Sequence, residues 1–185
     1  MSGPEGRRRA AETVIASIKY LEIDQRAAMV AQVSERTRVT QPTDLMLTQK
    51  EVVDLRRCGM QVGAHTVSHP ILTRLPRQEA LREIGQSKSF LENLLGERVG
   101  LFAYPNGKPG EDYDHSTVEM VRESGFDAAV TTVRGVATRS SDLLQIPRFT
   151  PWDRSRFRFG ARMLSTMLTK RRASAAQGGT ATRSG

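Results

Sequence analysis

The sequence predicts an α/β fold with a parallel sheet. From Thr48 onward, segments with helical period and segments of strand type alternate four times with short links. That is the pattern of strands covered by helices. The links carry proline and glycine where helices open and close. The chain has 185 residues, 38% hydrophobic and 26% charged, which suits one globular domain with short tails.

Each element has a local reason. Met1–Arg9 is polar, with Gly3, Pro4 and Gly6, and is expected to be disordered. Val14, Ile15, Ile18 and Leu21 fall at helical spacing, and Ala27, Val30 and Val33 repeat it. A polar connection follows around Thr40–Thr43. Thr48 and Glu51 form a capping box that opens a helix, and Gly59 closes it in the left-handed conformation. Met60–His65 reads as a short strand. Pro76 opens a second helix with Leu81, Ile84, Leu91, Leu94 and Leu95 on one face, ending at Gly96. Val99–Ala103 is a buried-type strand, and Pro105-Asn106-Gly107 is turn chemistry. Asp114 caps a third helix that ends at Gly125. Phe126–Thr132 and Leu143–Ile146 are the remaining strands. Residues 10–153 thus form the α/β domain, and ligands are expected after 65, 103, 132 and 146, at strand C-termini.

Charge and cysteine narrow the function classes. The net charge is +8. Residues 154–185 hold eight basic residues and no acid, so the other 153 residues carry 20 basic and 20 acidic side chains. The positive charge belongs to the tail, which argues against specific nucleic-acid binding and for peripheral contact with anionic surfaces. Phe157, Ala161, Leu164 and Leu168 make an apolar stripe there, which reads as a helix packed on the domain's flank. Residues 173–185 are low-complexity and expected to be disordered. Cys58 is the single cysteine; it excludes an internal disulfide and reads as structural. No apolar run reaches the ~20 residues of a membrane span, and Lys19, Glu22 and Asp24 break the stretch after Arg7–Arg9, so it lacks the apolar core of a secretory signal. The default location is cytoplasmic, and the oligomeric state is open.

The sharpest chemical feature is His65-Thr66-Val67-Ser68-His69. Two of three histidines lie four residues apart directly after a strand. Such a pair chelates a divalent cation when both imidazoles face one side. The spacing equally admits loop histidines that are merely hydrogen-bonded. His115, beside Asp114, reads as a solvated cap residue. Phe149 and Trp152 offer either a sugar-stacking platform or core packing. Arg148, at a strand end, either faces the groove or pairs at the surface.

Gly63-Ala64-His65-Thr66-Val67-Ser68-His69-Pro70, followed by Leu72, resembles the metal-binding motif of the polysaccharide deacetylases (carbohydrate esterase family four). The likeness continues through Glu83-Ile84, Ser87-Lys88 and Leu91-Glu92. It runs on through Phe102-Ala103-Tyr104-Pro105-Asn106-Gly107, Gly125-Phe126, Ala129–Thr132 and Leu144–Arg148, and covers about residues 45–153. The resemblance implies a distorted (β/α) barrel. It implies a divalent metal, usually zinc, with His65 and His69 as imidazole ligands. It also implies metal-assisted removal of acetyl groups from an N-acetylated polysaccharide or oligosaccharide. Tyr104, Pro105, Asn106 and Arg148 would belong to the substrate groove, with the Asn106 backbone N–H as the oxyanion donor.

Two family motifs have no counterpart. No Thr-Phe-Asp-Asp-Gly, which supplies an aspartate ligand and the base, precedes His65. Leu144-Gln145-Ile146-Pro147-Arg148 stands where the family has Leu-x-His. No catalytic residue is therefore assigned. The expectation is a partial barrel, truncated at its N-terminal side, that binds zinc weakly and hydrolyses little. The alternative is a non-catalytic module that binds carbohydrate or anions.

Overall fold

Three short parallel strands carry the α/β part of the protein. The computed structural model describes residues 3–38, 42, 44–149 and 153–177, with 23 and 168–177 described by backbone alone. Trp152, most of the Thr40–Thr43 connection and the last eight residues lie outside them. The chain divides into two compact units, Met1–Leu55 and Arg56–Gly185.

The first unit is helical. Helices α1 (Pro4–Ile18) and α2 (Ile23–Thr37) lead to α3 (Gln49–Arg57), which runs into the second unit. Helix α1 starts inside the segment expected to be disordered. Pro4 stands at its first turn, where no N–H is needed and φ is already set. Arg9–Glu5 and Arg8–Glu12 ion pairs one turn apart support it. The α1 and α2 apolar positions Ile15 and Val30 remain exposed. The Thr48–Glu51 box forms as the sequence indicates. The Glu51 carboxylate accepts from the Thr48 N–H at 2.7 Å, and Thr48 Oγ1 accepts from the Glu51 N–H at 3.3 Å. The Thr48 backbone N–H holds the Glu51 carboxyl below the ordinary carboxylate range.

The second unit is the sheet and its cover. Strands β1 (Leu101–Ala103), β2 (Ala128–Arg134) and β3 (Ile146–Arg148) pair in parallel in that order. Met60–His65 is not a full strand. It contributes one parallel bridge, Ala64 to Phe102 on β1. The Ala64 N–H donates to the Leu101 carbonyl at 2.8 Å, and the Ala103 N–H donates to the Ala64 carbonyl at 2.9 Å. The segment Leu143–Ile146 also differs. Asp142 accepts from the Leu144 N–H and the Gln145 side chain, which folds Leu143–Gln145 into a 3-10 turn before β3 begins.

Helix α4 (Arg77–Leu95) begins after Pro76 and ends at Gly96, whose φ is 66°. It buries Ala80, Ile84 and Ser87. Helix α5 (His115–Glu123) is capped by Asp114 and buries Thr117, Val118, Met120 and Val121. The Thr117 N–H donates to Asp114 Oδ1 at 2.9 Å and lowers the Asp114 pKa from its usual range. These faces meet Phe102 and Ala129 of the sheet, with Val99 and Phe126 just ahead of β1 and β2, in one core.

Charged side chains tie the elements together. Arg77 on α4 donates through one nitrogen, Nη2, to both carboxylate oxygens of Glu123 on α5, at 2.9 and 2.8 Å, a charge-assisted contact. Lys88 donates to the Val99 carbonyl at 3.0 Å and to the Gly125 carbonyl at 2.9 Å, with its ammonium over the Phe126 ring. One lysine thus joins α4 to the approaches of β1 and β2.

Helix α6 (Arg156–Gln177) packs through a different face from the expected stripe. Phe159 meets Phe149 edge-on at 5.5 Å. Thr166 Oγ1 accepts from Arg134 of β2 at 2.8 Å. Phe157 is 84% exposed and Leu164 57%. Of the expected stripe, Phe157, Ala161 and Leu164 are exposed, and the side chain of Leu168 lies outside the described residues. Among the described residues, no helix is long and apolar enough to cross a membrane.

Candidate functional site

The histidine loop leaves the sheet at Ala64. Gly63 brings it against β1 so closely that a Cβ there would sit 3.1 Å from both the Leu101 carbonyl oxygen and its Cβ. Only hydrogen fits without a shift. The loop then turns through two non-glycine residues in the left-handed region, Thr66 (φ 63°) and His69 (φ 55°). For branched Thr66 this conformation is strained, by roughly 1–3 kcal/mol. Local bonds hold it: Thr66 Oγ1 donates to the His65 carbonyl at 2.6 Å and accepts from the His69 N–H at 3.2 Å.

This loop brings the two predicted imidazoles together at the surface. Their ring centroids are 4.8 Å apart and their planes cross at 76°. With metal–nitrogen distances of about 2.0–2.1 Å, each centroid stands about 3.2 Å from a shared ion, and tetrahedral ligands then have centroids about 5.2 Å apart. The observed centroid distance lies within half an ångström of that value. His65 Nδ1 lies 2.7 Å from the Ala103 carbonyl oxygen. A carbonyl only accepts, so Nδ1 carries the proton. In the neutral ring Nε2 then keeps its lone pair. A backbone carbonyl that fixes the tautomer of a metal-ligating histidine is a recurrent outer-shell device. Among the described residues, no third histidine, cysteine or carboxylate joins the pair.

The structure adds a residue that the motif analysis assigned no role. Glu83 of α4 reaches under the loop. Its Oε2 accepts from the Val67 N–H at 2.8 Å and the Ser68 N–H at 2.9 Å, and its Oε1 accepts from Ser68 Oγ at 2.8 Å. The sequence carried a signal for it. Position 83 falls on the same side of α4 as buried Ala80, Ile84 and Ser87, and a carboxylate placed there needs partners.

The segment after β1 forms the neighbouring turn. Tyr104 is 1% exposed, stacks on Tyr113 at 4.0 Å and donates its hydroxyl to the Leu144 carbonyl at 2.9 Å. Desolvation pushes its pKa well up. Pro105 is also buried. Both support the turn from beneath, and neither presents a side chain to solvent. Asn106 is half-buried with φ 58°, and its carbonyl accepts from Thr132 Oγ1 at 2.7 Å. Gly107 (φ 72°) closes the turn where a Cβ would meet the Thr132 nitrogen at 2.9 Å. Arg148 is exposed on β3, in register with Arg134. The bridge at Ala64 and β3 stand at opposite edges of the ladder, three inter-strand spacings or about 14 Å apart. Phe149 packs on Phe159, and His115 is exposed at the first position of α5.

A parallel ladder with a paired-histidine loop leaving it after the bridged residue Ala64 defines an α/β protein with its candidate site on a loop beside the sheet. The sequence model of the polysaccharide deacetylase family matches residues 9–129. The chain belongs to that family. The matched segment reaches back through α1 and α2, further than the motifs alone extend. YxkH of Bacillus subtilis (strain 168) is 26% identical over 102 residues, 55% of this chain and 35% of YxkH. The peptidoglycan-N-acetylmuramic acid deacetylase PdaC of the same organism is 43% identical over 49 residues, 26% of this chain and 10% of PdaC. Among solved structures, the Streptococcus pyogenes deacetylase PplD, in complex with acetate, superposes with a TM-score of 0.54 at 28% identity. The match covers 58% of this chain and 46% of PplD. The chain thus spans about a third of YxkH and under half of PplD.

Proposed function

We propose that this chain carries the two-histidine half of a metal-dependent N-deacetylase acting on an N-acetylated polysaccharide or oligosaccharide. The observation that carries the reading is the close approach of the His65 and His69 rings, with His65 Nδ1 committed to the Ala103 carbonyl. The family membership and the likeness to PplD support it. Zinc is the cation we assign, since imidazole nitrogen suits it. When bound, it supplies a Lewis acid for the acetyl carbonyl and an acidified water. The chain's own residues have positional tasks. Ala103 fixes the His65 tautomer, Thr66 and Glu83 hold the loop, and the turn at Asn106 and Gly107 forms the neighbouring wall. Tyr104 and Pro105 underlie that wall, and Arg148 marks the far edge of the groove.

Two imidazoles make a weak site. The expected result is therefore slow acetate release from an N-acetylated oligosaccharide with added zinc, further reduced by His65→Ala. Turnover that ignores His65→Ala would remove the reading.

A second reading rests on α6. Residues 154–172 hold seven basic side chains and no acid, and Phe157 and Leu164 face solvent. We assign this face to an anionic surface, where apolar and basic groups act together. Sedimentation with phosphatidylglycerol vesicles should carry the protein down, and Phe157→Glu should release it. Equal sedimentation of the variant rules this out.

A further inference from the structure

Glu83 is the charged group whose surroundings ask most for a purpose. It is half-buried on α4, fourteen residues beyond His69, and all three of its bonds run to the Val67–Ser68 segment between the two histidines. That segment lies beyond the bridge that ties the chain to β1. Ala64 is the bridged residue, and Pro70 is the next buried one. Between them, Thr66 and His69 both hold positive φ, a conformation that persists only when surrounding bonds fix it. The Thr66 hydroxyl bonds within the loop, and Glu83 reaches it from α4 while the Ala103 carbonyl holds His65 from β1.

We propose that Glu83 is the positioning residue of the histidine pair. It anchors the loop crown to α4, so that the two rings are already at chelating distance before a cation arrives. Preorganisation of this kind raises affinity by removing the ordering cost at binding. The inference rests on the metal-site reading and deepens it by naming what holds the site open.

Hydrogen-bond geometry makes a distinctive prediction. Both backbone N–H groups bond to one oxygen, Oε2, and only Ser68 Oγ bonds to the other. Glutamine keeps one carbonyl oxygen for the two N–H groups. Its amide NH₂ can donate to Ser68 Oγ, since a hydroxyl also accepts. Glu83→Gln should therefore retain the anchor, and Glu83→Ala should lose it. A role based on the negative charge predicts that both variants fail.

The experiment is zinc titration of the full chain and of both variants, with amide hydrogen exchange of Val67 and Ser68 in metal-free protein. Glu83→Ala is expected to lose about tenfold or more in zinc affinity, in the range of supporting-shell losses, and to lose protection at Val67 and Ser68. Glu83→Gln should stay within about threefold of wild type, since the anchor persists. Wild-type affinity in Glu83→Ala, or equal losses in both variants, overturns the proposal. If the unmodified chain takes up no zinc, the metal reading falls. The exchange data then decide alone: unchanged protection in Glu83→Ala overturns the anchor. Should Glu83→Ala not fold, Ser68→Ala removes one bond of the three, and unchanged exchange at Val67 and Ser68 there also counts against it.

Discussion

Replacing either His65 or His69 with alanine is expected to abolish measurable zinc uptake. A two-imidazole site has no redundancy. Removing one ring leaves a single nitrogen donor, and single histidines on a protein surface do not retain zinc at low concentration. The loss should exceed the 10–100-fold that removal of a supporting group costs, so a drop beyond about a hundredfold is the expected result. Competition against a chromophoric chelator measures it. His115→Ala is the control, since His115 stands at the start of α5 rather than in the loop, and it should bind as wild type. The two rings stand 4.8 Å apart, and that spacing is what the prediction depends on. If either alanine variant binds zinc like the parent, the rings do not share an ion.

The largest effect on stability is expected from Phe102→Ala. Phe102 is 2% exposed at the middle of β1, with Tyr104 edge-on at 5.3 Å and Phe126 at 5.1 Å. It also bridges to Ala64, the root of the histidine loop. Truncating a buried phenylalanine costs about 3–5 kcal/mol, from lost transfer energy and the cavity left behind. Domains of this size are stable by about 5–15 kcal/mol, so this one change removes a third or more of the total in most cases. The melting temperature should fall by roughly 10 °C or more, read by far-ultraviolet circular dichroism. A fall of under about 3 °C would show that the aromatic cluster does not hold the sheet.

Much of the fold was legible because its signals are local. Pro76, Gly96, Asp114 and the Thr48–Glu51 pair mark helix ends through bonds within a few residues, and each marks one in the structure. Strands were harder, because pairing is decided by distant chain. Met60–His65 has strand composition, yet β1 accepts only Ala64 from it. At Leu143–Ile146 a local competitor won: Asp142 captured the Leu144 N–H and turned the chain. For α6, periodicity found a stripe, but the packed side follows from Phe149 and Arg134 far back in the chain.

The site divides in the same way. The histidine spacing was visible directly. Glu83 was half-visible, as a carboxylate on the inner side of a helix whose partners only the fold reveals. The Ala103 carbonyl was invisible, since every residue has one. Tyr104 shows the limit of reading a role from a motif. Its side chain serves the interior, where it stacks on Tyr113.

Gly63 has a wider meaning for how such a centre tolerates change. Loop and strand touch there main chain to side chain and carbonyl, with no side chain of the loop's own between them. The root of the histidine loop is thus set by sheet geometry, which varies little, and the bonds from Thr66 and Glu83 act on a loop already placed. A single added methyl at that seam should displace the root of the loop and with it both rings.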